Sequence, residues 1–106
     1  MRLLTRAEEY VLLAVLKLGD EAYSLPILDF IQNATQKKWT MGGIYIPLYR
    51  LEEKGYLSSE LGSPTRERGG KSKRYYRVTP KGKKALKAHK QIQSAMWAEI
   101  GETALE

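Results

Sequence analysis

Apolar residues in the first half of the chain recur at spacings of three and four, the period of a helix with one buried face. The first such stretch predicts a helix over residues 5–18, where Thr5 and Glu8 stand at the spacing of a capping box. A second helix is predicted from Ser24, whose hydroxyl is expected to cap it, to about Thr35. The chain therefore opens with two amphipathic helices.

A third helix is predicted after a short basic hinge. Thr40 is expected to cap it, and Gly55 ends its apolar stripe. Pro47 lies inside this stretch and is expected to kink the helix or to delay its regular start, because proline lacks a backbone N–H and clashes with the preceding turn. Trp39, which precedes the cap, is expected to pack on this helix as a hydrophobic staple.

The period changes to two after the third helix, which predicts a strand with Leu57, Ser59 and Leu61 on one face. Residues 62–73 combine glycine, proline and basic side chains without an apolar one, which is the composition of an exposed loop. Residues 74–78 then predict the returning strand of a hairpin.

A last helix is predicted from Lys81 to about Leu105, opened by a capping threonine and a proline. Its near-heptad apolar stripe has no partner left inside so small a domain, which indicates packing on another chain. The stripe is formed by Ala85, Ala88, Ile92, Ala95, Met96 and Ile100.

Three helices, a two-stranded hairpin with a basic loop and a long helix follow one another along the chain. This order predicts a mainly α fold with a small β-hairpin, namely a winged helix-turn-helix plus a long C-terminal dimerisation helix. We expect residues 1–79 to form the winged helix-turn-helix DNA-binding domain and residues 80–106 to form the C-terminal dimerisation helix.

The length of 106 residues is enough for one domain with a small core. The absence of cysteine excludes disulfides and thiol nucleophiles, and the single histidine, His89, cannot build a multi-histidine metal site. No catalytic motif is present, so we predict that the protein is not an enzyme and needs no metal or cofactor. The apolar run from Tyr10 to Leu16 is too short for a membrane span or a signal peptide, so a cytoplasmic location without membrane contact is expected.

Positive charge is concentrated in one segment of the chain. The formal net charge is +6, and residues 63–90 hold 11 Lys/Arg against 1 Asp/Glu, whereas the segments on either side are slightly acidic. Such a concentration points to a polyanionic partner, above all nucleic acid. Charge alone leaves a solvated surface open as the alternative.

Two motifs resemble the PadR family of bacterial transcriptional regulators. Residues 42–55, GGIYIPLYRLEEKG, are similar to the family's pattern at its recognition helix, and residues 68–79, RGGKSKRYYRVT, are similar to its wing and return strand. The chain departs from the pattern at Pro47, since the family's proline directly follows the tyrosine that matches Tyr45. It also carries Gly43 where threonine is usual.

The single long helix at the end resembles the compact branch of that family. The resemblance implies a homodimeric repressor that binds a palindromic operator in double-stranded DNA and whose affinity responds to a small molecule or another signal. It places Tyr45 at the recognition-helix tyrosine, Thr40 at its cap and residues 69–71 at the tip of the wing. A winged-helix module that binds protein or RNA rather than duplex DNA is the alternative.

The candidate DNA-binding residues lie before or on the third helix and in the hairpin loop. Their alternatives are structural: the two tyrosines brace the domain, and the loop cations only keep it soluble. Arg50 is expected to brace the domain by pairing with Glu53 or Glu21, and the lysines of the last helix fit either role. The candidates are Lys37, Lys38, Thr40, Met41, Gly43, Tyr45, Tyr49, Arg66, Arg68, Gly69, Gly70, Lys71, Lys73 and Arg74.

A second set of apolar candidates is expected to line a dimer interface or a ligand cavity. By resemblance, Trp97 is a platform that sandwiches a flat aromatic effector between subunits. The preferred interpretation is a packing anchor at the dimer interface, because tryptophan is a large apolar group wherever it lies. His89 is expected on a helix surface or interface without a chemical role. The candidates are Tyr10, Leu13, Ile92, Met96, Trp97 and Ile100.

Overall fold

A computed structural model describes residues 3–62 and 72–106 of the chain. Within these residues, one two-stranded antiparallel sheet accompanies the helices, so the predicted mainly α fold with a small hairpin is confirmed. None of the described helices is long and apolar enough to cross a membrane. The elements are α1 (Arg6–Leu18), α2 (Ser24–Thr35), α3 (Met41–Glu53), β1 (Leu57–Leu61), β2 (Arg74–Val78) and α4 (Pro80–Trp97).

The predicted capping box opens α1. The Thr5 hydroxyl accepts the backbone N–H of Glu8 at 3.1 Å, and the Glu8 carboxylate accepts the backbone N–H of Thr5 at 2.9 Å. Glu8 is only 2% exposed, and its second carboxylate oxygen lies 2.6 Å from Nζ of Lys54, just beyond the end of α3. One carboxylate therefore caps α1 and also joins it to α3.

The predicted cap of α2 is wrong. Tyr23, in extended conformation, occupies the capping position without a side-chain hydrogen bond, and Ser24 is already the first helical residue. A side chain inside the first turn is not placed to cap it as a flanking residue does. The Ser24 hydroxyl instead accepts a hydrogen bond from the Tyr45 hydroxyl on α3, at 3.2 Å.

The third helix is continuous from Met41, so the delayed start expected from Pro47 is wrong. Thr40 fixes the first turn, because its hydroxyl accepts the backbone N–H of Gly43 at 2.9 Å. Pro47 lies one turn further on with its ring buried, and its missing N–H leaves only the carbonyl four residues earlier without its usual partner.

Trp39 lies beside the start of α3, as the staple predicted, and it is bound to α2 as well. Its backbone N–H donates to the Gln32 side chain at 2.9 Å, and its indole N–H donates to the Thr35 hydroxyl at 3.2 Å. Its ring meets the Tyr10 ring edge-on, with centroids 6.0 Å apart. Trp39 therefore holds the turn between α2 and α3 against α1.

The hairpin has the predicted strands, and the predicted inner face of its first strand is covered only at one end. Leu57 is buried opposite Val78, whereas Leu61, at the far end of the ladder opposite Arg74, is 61% exposed. The hairpin extends beyond the helical core, so alternation buries side chains only where a helix lies beneath the sheet. Tyr76 is buried in β2, and its backbone N–H donates to the carbonyl of Ala22 at 2.8 Å.

The core lies where α1, α2 and α3 meet under the root of the hairpin. Its fully buried side chains come from one side of each of the three helices, and Leu57 and Val78 close it from the sheet. The largest apolar ones are Leu12, Ile27, Ile31, Ile44, Leu48 and Leu51.

The first turn of α4 is locked onto the turn between α3 and β1. The Thr79 hydroxyl accepts the backbone N–H of Gly82 at 3.0 Å and donates to the carbonyl of Gly55 at 2.6 Å. Gly82 packs so closely that a Cβ there would collide with the carbonyl oxygen of Tyr56. Only a glycine fits at this crossing.

The predicted end of α4 near Leu105 is wrong, because the helix ends at Trp97. Ala98 leaves with ψ 132° and Glu99 adopts a positive φ of 64°. No basic residue stands in the last turn to favour its negative end, and the acidic Glu99 follows directly. A short 3₁₀ turn over Glu102–Leu105 completes the chain.

Candidate nucleic-acid interface

One face of α3 is buried and the opposite face is open. Ile44 and Leu48 are fully buried, whereas Tyr45 is 49% exposed and Tyr49 is 65% exposed. The two tyrosines lie one turn apart and therefore share a face. The structure thus presents both predicted contact tyrosines of α3 on its outward side.

The hydroxyls of these two tyrosines have different partners. The Tyr45 hydroxyl donates to Ser24 on α2, and the Tyr49 hydroxyl donates to the Glu53 carboxylate at 3.1 Å within α3. The hydrogen bond to Glu53, and the charge of that carboxylate, raise the pKa of Tyr49. The predicted ion pair of Arg50 with Glu53 or Glu21 is not formed among the described residues. Glu53 accepts the tyrosine hydroxyl instead.

The basic positions before α3 lie in the turn after α2. Lys37 and Lys38 are exposed, and Thr40 is exposed while its hydroxyl caps the helix. Met41 and Gly43 form the first turn of α3 and are half-buried. The structure therefore places these candidates together at the start of α3.

The base of the wing is joined to the end of α3 by a chain of hydrogen bonds. Arg74 donates through Nη1 to the Ser59 hydroxyl at 3.0 Å, and that hydroxyl donates to the Glu52 carboxylate at 2.6 Å. Lys73 lies over the ring of Tyr23, with Nζ 4.8 Å from the ring centroid. The predicted wing residues Arg66, Arg68, Gly69, Gly70 and Lys71 lie outside the described residues.

A small cavity of about 190 Å³ lies between the start of α2, the outward face of α3 and the base of β2. We call it the wing-root cleft. It brings Tyr45 together with Lys73 and Arg74, and its other four lining residues are ones that sequence reasoning missed. No local pattern marks these four, because only the folded chain brings them to one place. The cleft is lined by Tyr23, Ser24, Tyr45, Ser72, Lys73, Arg74 and Tyr76.

His89, expected on a helix surface or interface, lies at the contact between α4 and α1. Its Nε2 lies 3.4 Å from a carboxylate oxygen of Glu9 on α1, and both side chains are largely buried. Its Nδ1 is buried without a hydrogen-bond partner among the described residues. His89 therefore joins α4 to α1, which the spacing of apolar positions gave no means of detecting.

The apolar candidates on α1 and α4 lie on the surface of the single chain. Leu13 and Ile92 are each about two-fifths exposed, at 42% and 41%, and Trp97 is 58% exposed. Met96 and Ile100 are also exposed, whereas Tyr10 is half-buried against Trp39. The exposed ones leave apolar surface uncovered on α1, on the second half of α4 and, at Ile100, beyond its end.

The model of the PadR-like transcriptional regulator family matches residues 12–88, which contain α2, α3, the hairpin and most of α1. The chain belongs to this family. As a PadR-like protein it is a DNA-binding transcriptional regulator and not an enzyme, as the motifs indicated. Among the described residues, no group of three acidic or histidine side chains forms a metal site.

Solved structures of other regulators share the fold. A transcriptional regulator from Clostridium thermocellum is 26% identical, with a TM-score of 0.71 over 85% of this chain and 82% of that one. A PadR-like transcription factor from Bacteroides fragilis is also 26% identical, with a TM-score of 0.65 over 83% and 81%. A PadR-like regulator from Bacillus cereus is 22% identical, with a TM-score of 0.67 over 84% and 81%. No curated protein sequence matches this chain significantly.

Proposed function

We propose that this PadR-family regulator is a homodimeric, cytoplasmic repressor that binds a palindromic operator in duplex DNA. The observation that carries the proposal is the exposed tyrosine face of α3 beside the basic root of the wing. A helix with one open face fits the major groove, and a basic hairpin next to it reaches the phosphates that flank the groove.

The two parts of this surface have different tasks. The start of α3, with Met41 and Gly43, meets base edges and selects the sequence. The wing and the lysines before α3 meet phosphates, which position the protein on any sequence. The cations of residues 63–90 supply most of the salt-dependent affinity, because each phosphate they neutralise releases counterions.

Dimerisation is the proposed role of the uncovered apolar surface on α1 and α4. Leu13, Ile92 and Met96 are exposed in the single chain, and a second copy buries them at the least cost. Residues 80–106 then form the dimerisation segment, and residues 1–79 form the DNA-binding domain. Two such domains related by a twofold axis require a palindromic site.

An effector site is proposed at the same interface. Trp97 is exposed on α4 near its end, and two copies brought together by a twofold axis form a cavity walled by indole rings. Such a cavity accepts a planar aromatic compound by stacking. Regulation requires that the compound bind the DNA-competent and DNA-incompetent dimers with different affinity.

Selection from a pool of random duplexes tests the proposed function. The purified protein is expected to enrich a palindromic motif and to bind it more tightly than single-stranded RNA of the same sequence. Equal binding to the RNA, or no enrichment, would refute the assignment to a duplex operator. A reporter gene with the enriched motif across its promoter separates repression, in which expression falls, from activation, in which it rises.

A further inference from the structure

The wing-root cleft has the size and chemistry of a site for a small anion. Its volume of about 190 Å³ lies below that of cavities that hold drug-sized molecules, so it suits a single compact group. Lys73 and Arg74 line it, and no carboxylate does so among the described residues. All its other lining residues carry a hydroxyl, namely Tyr23, Ser24, Tyr45, Ser72 and Tyr76.

The hydroxyls in the cleft retain donors for a ligand. Tyr45 and Ser24 lie 3.2 Å apart, and a bond between two hydroxyls uses only one of their two hydrogens. Tyr76 is 8% exposed and lines the cleft. Burial, followed by the charge of Glu52, raises the pKa of Tyr76, so this hydroxyl keeps its proton.

Neither cation at the cleft, Lys73 or Arg74, pairs directly with a carboxylate among the described residues. The Ser59 hydroxyl links Arg74 to the carboxylate of Glu52. The ring of Tyr23 lies under the Lys73 ammonium, and the Ser59 hydroxyl anchors one nitrogen of Arg74. A guanidinium has five N–H donors, so most of those on Arg74 stay available.

The start of α2 adds to this positive environment. Tyr23 occupies its capping position without giving a side-chain hydrogen bond, so no side chain caps the amides of the first turn. Uncapped amides at a helix start, together with the positive end of the helix dipole, favour an anion. The wing-root cations Lys73 and Arg74 line the same cleft and add their charge.

We propose that the wing-root cleft seats one phosphate group of the DNA backbone, held by Ser24, Tyr45 and the two wing-root cations. The inference rests on the proposed function and refines it, because it assigns Tyr45 to the backbone rather than to a base edge. A phosphate held between α2, α3 and the wing fixes the register of the protein on the duplex without selecting a sequence.

The test replaces single phosphates of the selected duplex, one at a time, by an uncharged methylphosphonate. Dissociation constants are measured for the parent, for Tyr45→Phe and Ser24→Ala, and for the matched control Tyr49→Phe. The control removes a hydroxyl from the same face of the same helix, but one that is bound to Glu53 rather than directed to the cleft. Circular dichroism checks that each variant is folded. If Tyr45→Phe does not fold, Ser24→Ala alone tests the proposal.

We expect Tyr45→Phe to weaken binding to the unmodified duplex about tenfold, as for one lost hydrogen bond to a charged group. At one phosphate in each half-site, the methylphosphonate should weaken binding of the parent. On a duplex with that replacement, Tyr45→Phe and Ser24→Ala should cause no further loss of affinity. The effect of Tyr49→Phe is the same at every phosphate. Losses from Tyr45→Phe and Ser24→Ala that persist at all positions would overturn the proposal and show that this hydroxyl pair only joins α2 to α3.

Two other results separate the sources of failure. Chemical-shift changes at Ser24 and Tyr45 with inorganic phosphate, but no coupling in the duplex scan, would make the cleft a free-anion site and overturn its assignment to the DNA backbone. A selection that returns no duplex overturns the proposed function and this inference with it. A selected duplex without coupling overturns this inference alone.

Discussion

Replacing Glu8 by Gln tests the buried contact between α1 and α3. The substitution keeps the size of the side chain and an oxygen for the Thr5 backbone N–H, but it removes the charge that faces Lys54 at 2.6 Å. Glu8 is 2% exposed, so its charge is not shared with water, whereas Lys54 is 29% exposed and can turn towards solvent. The decrease in the free energy of unfolding is therefore smaller than for a buried charge left without any partner, and we expect about 2 kcal/mol.

The stabilisation by the Glu8 carboxylate also depends on pH. Burial pushes the pKa of Glu8 up, but the hydrogen bond from Lys54, the backbone hydrogen bond from Thr5 and the charge of Lys54 together bring the pKa below its ordinary value. As the pH falls, the unfolded chain takes up this proton first, so folding is weakened. The stabilisation is complete above the unfolded pKa of about 4.3 and is lost as the pH falls through the lower folded value.

Thermal unfolding at fixed protein concentration measures both effects. At pH 7 the variant Glu8→Gln is expected to melt roughly 10 °C below the parent, from about 4–8 °C per kcal/mol for a domain of this size. The difference between the two proteins should shrink in acid. The control Glu53→Gln removes an exposed carboxylate from α3 and should change the melting temperature little. Equal melting of Glu8→Gln and parent at pH 7, or a difference that stays constant into acid, would refute the reasoning.

Further predictions concern the wing, the interface and the crossing of α4. Replacing Lys73 and Arg74 by Ala should flatten the slope of log affinity against log salt by roughly one unit per lost phosphate contact on any duplex, and an unchanged slope would show that neither residue touches the backbone. A mass measurement at micromolar concentration should find a monomer for Ile92→Lys and a dimer for the parent. A folded monomer in the parent would refute the proposed dimer. Flat cationic dyes should quench the tryptophan emission of the parent and release it from DNA, and Trp97→Phe should abolish both effects. If both effects survive in Trp97→Phe, or if this variant fails to dimerise, Trp97 is a packing anchor. Gly82→Ala should destabilise the fold by about 1–3 kcal/mol in chemical denaturation, because its Cβ meets backbone; an unchanged midpoint would mean that α4 shifts freely.

Features set by neighbours in the chain could be predicted from the sequence. The three threonine caps at Thr5, Thr40 and Thr79 all form, and each marks a helix start to the residue. Spacings of three and four identified α1 to α3 as helices with one buried side, and alternation identified both strands. These signals are local, so no knowledge of the fold was needed to use them.

Features that depend on contacts across the fold could not be predicted in this way. Ser24 matches a capping residue in sequence but stands one position inside α2, where its partner is Tyr45. His89 has an unremarkable helical context, and only the crossing of α4 over α1 brings it to Glu9. The end of α4 was missed because helix propensity continues past Trp97. The contacts of the candidate site with DNA stay predictions, and part of the wing lies outside the described residues.

The two hydrogen bonds of the Thr79 hydroxyl determine which spacing of half-sites a dimer of this protein accepts. One hydroxyl both starts α4 and holds the turn that ends the recognition helix, and the tight crossing at Gly82 removes slack from the same place. In the proposed dimer, α4 is therefore a rigid extension of each DNA-binding domain. The separation of the two recognition helices is then set by the angle at which the two α4 helices cross. An extra base pair between half-sites shifts one of them by about 3.4 Å and rotates it around the duplex axis, so a rigid dimer contacts only one half-site at a time.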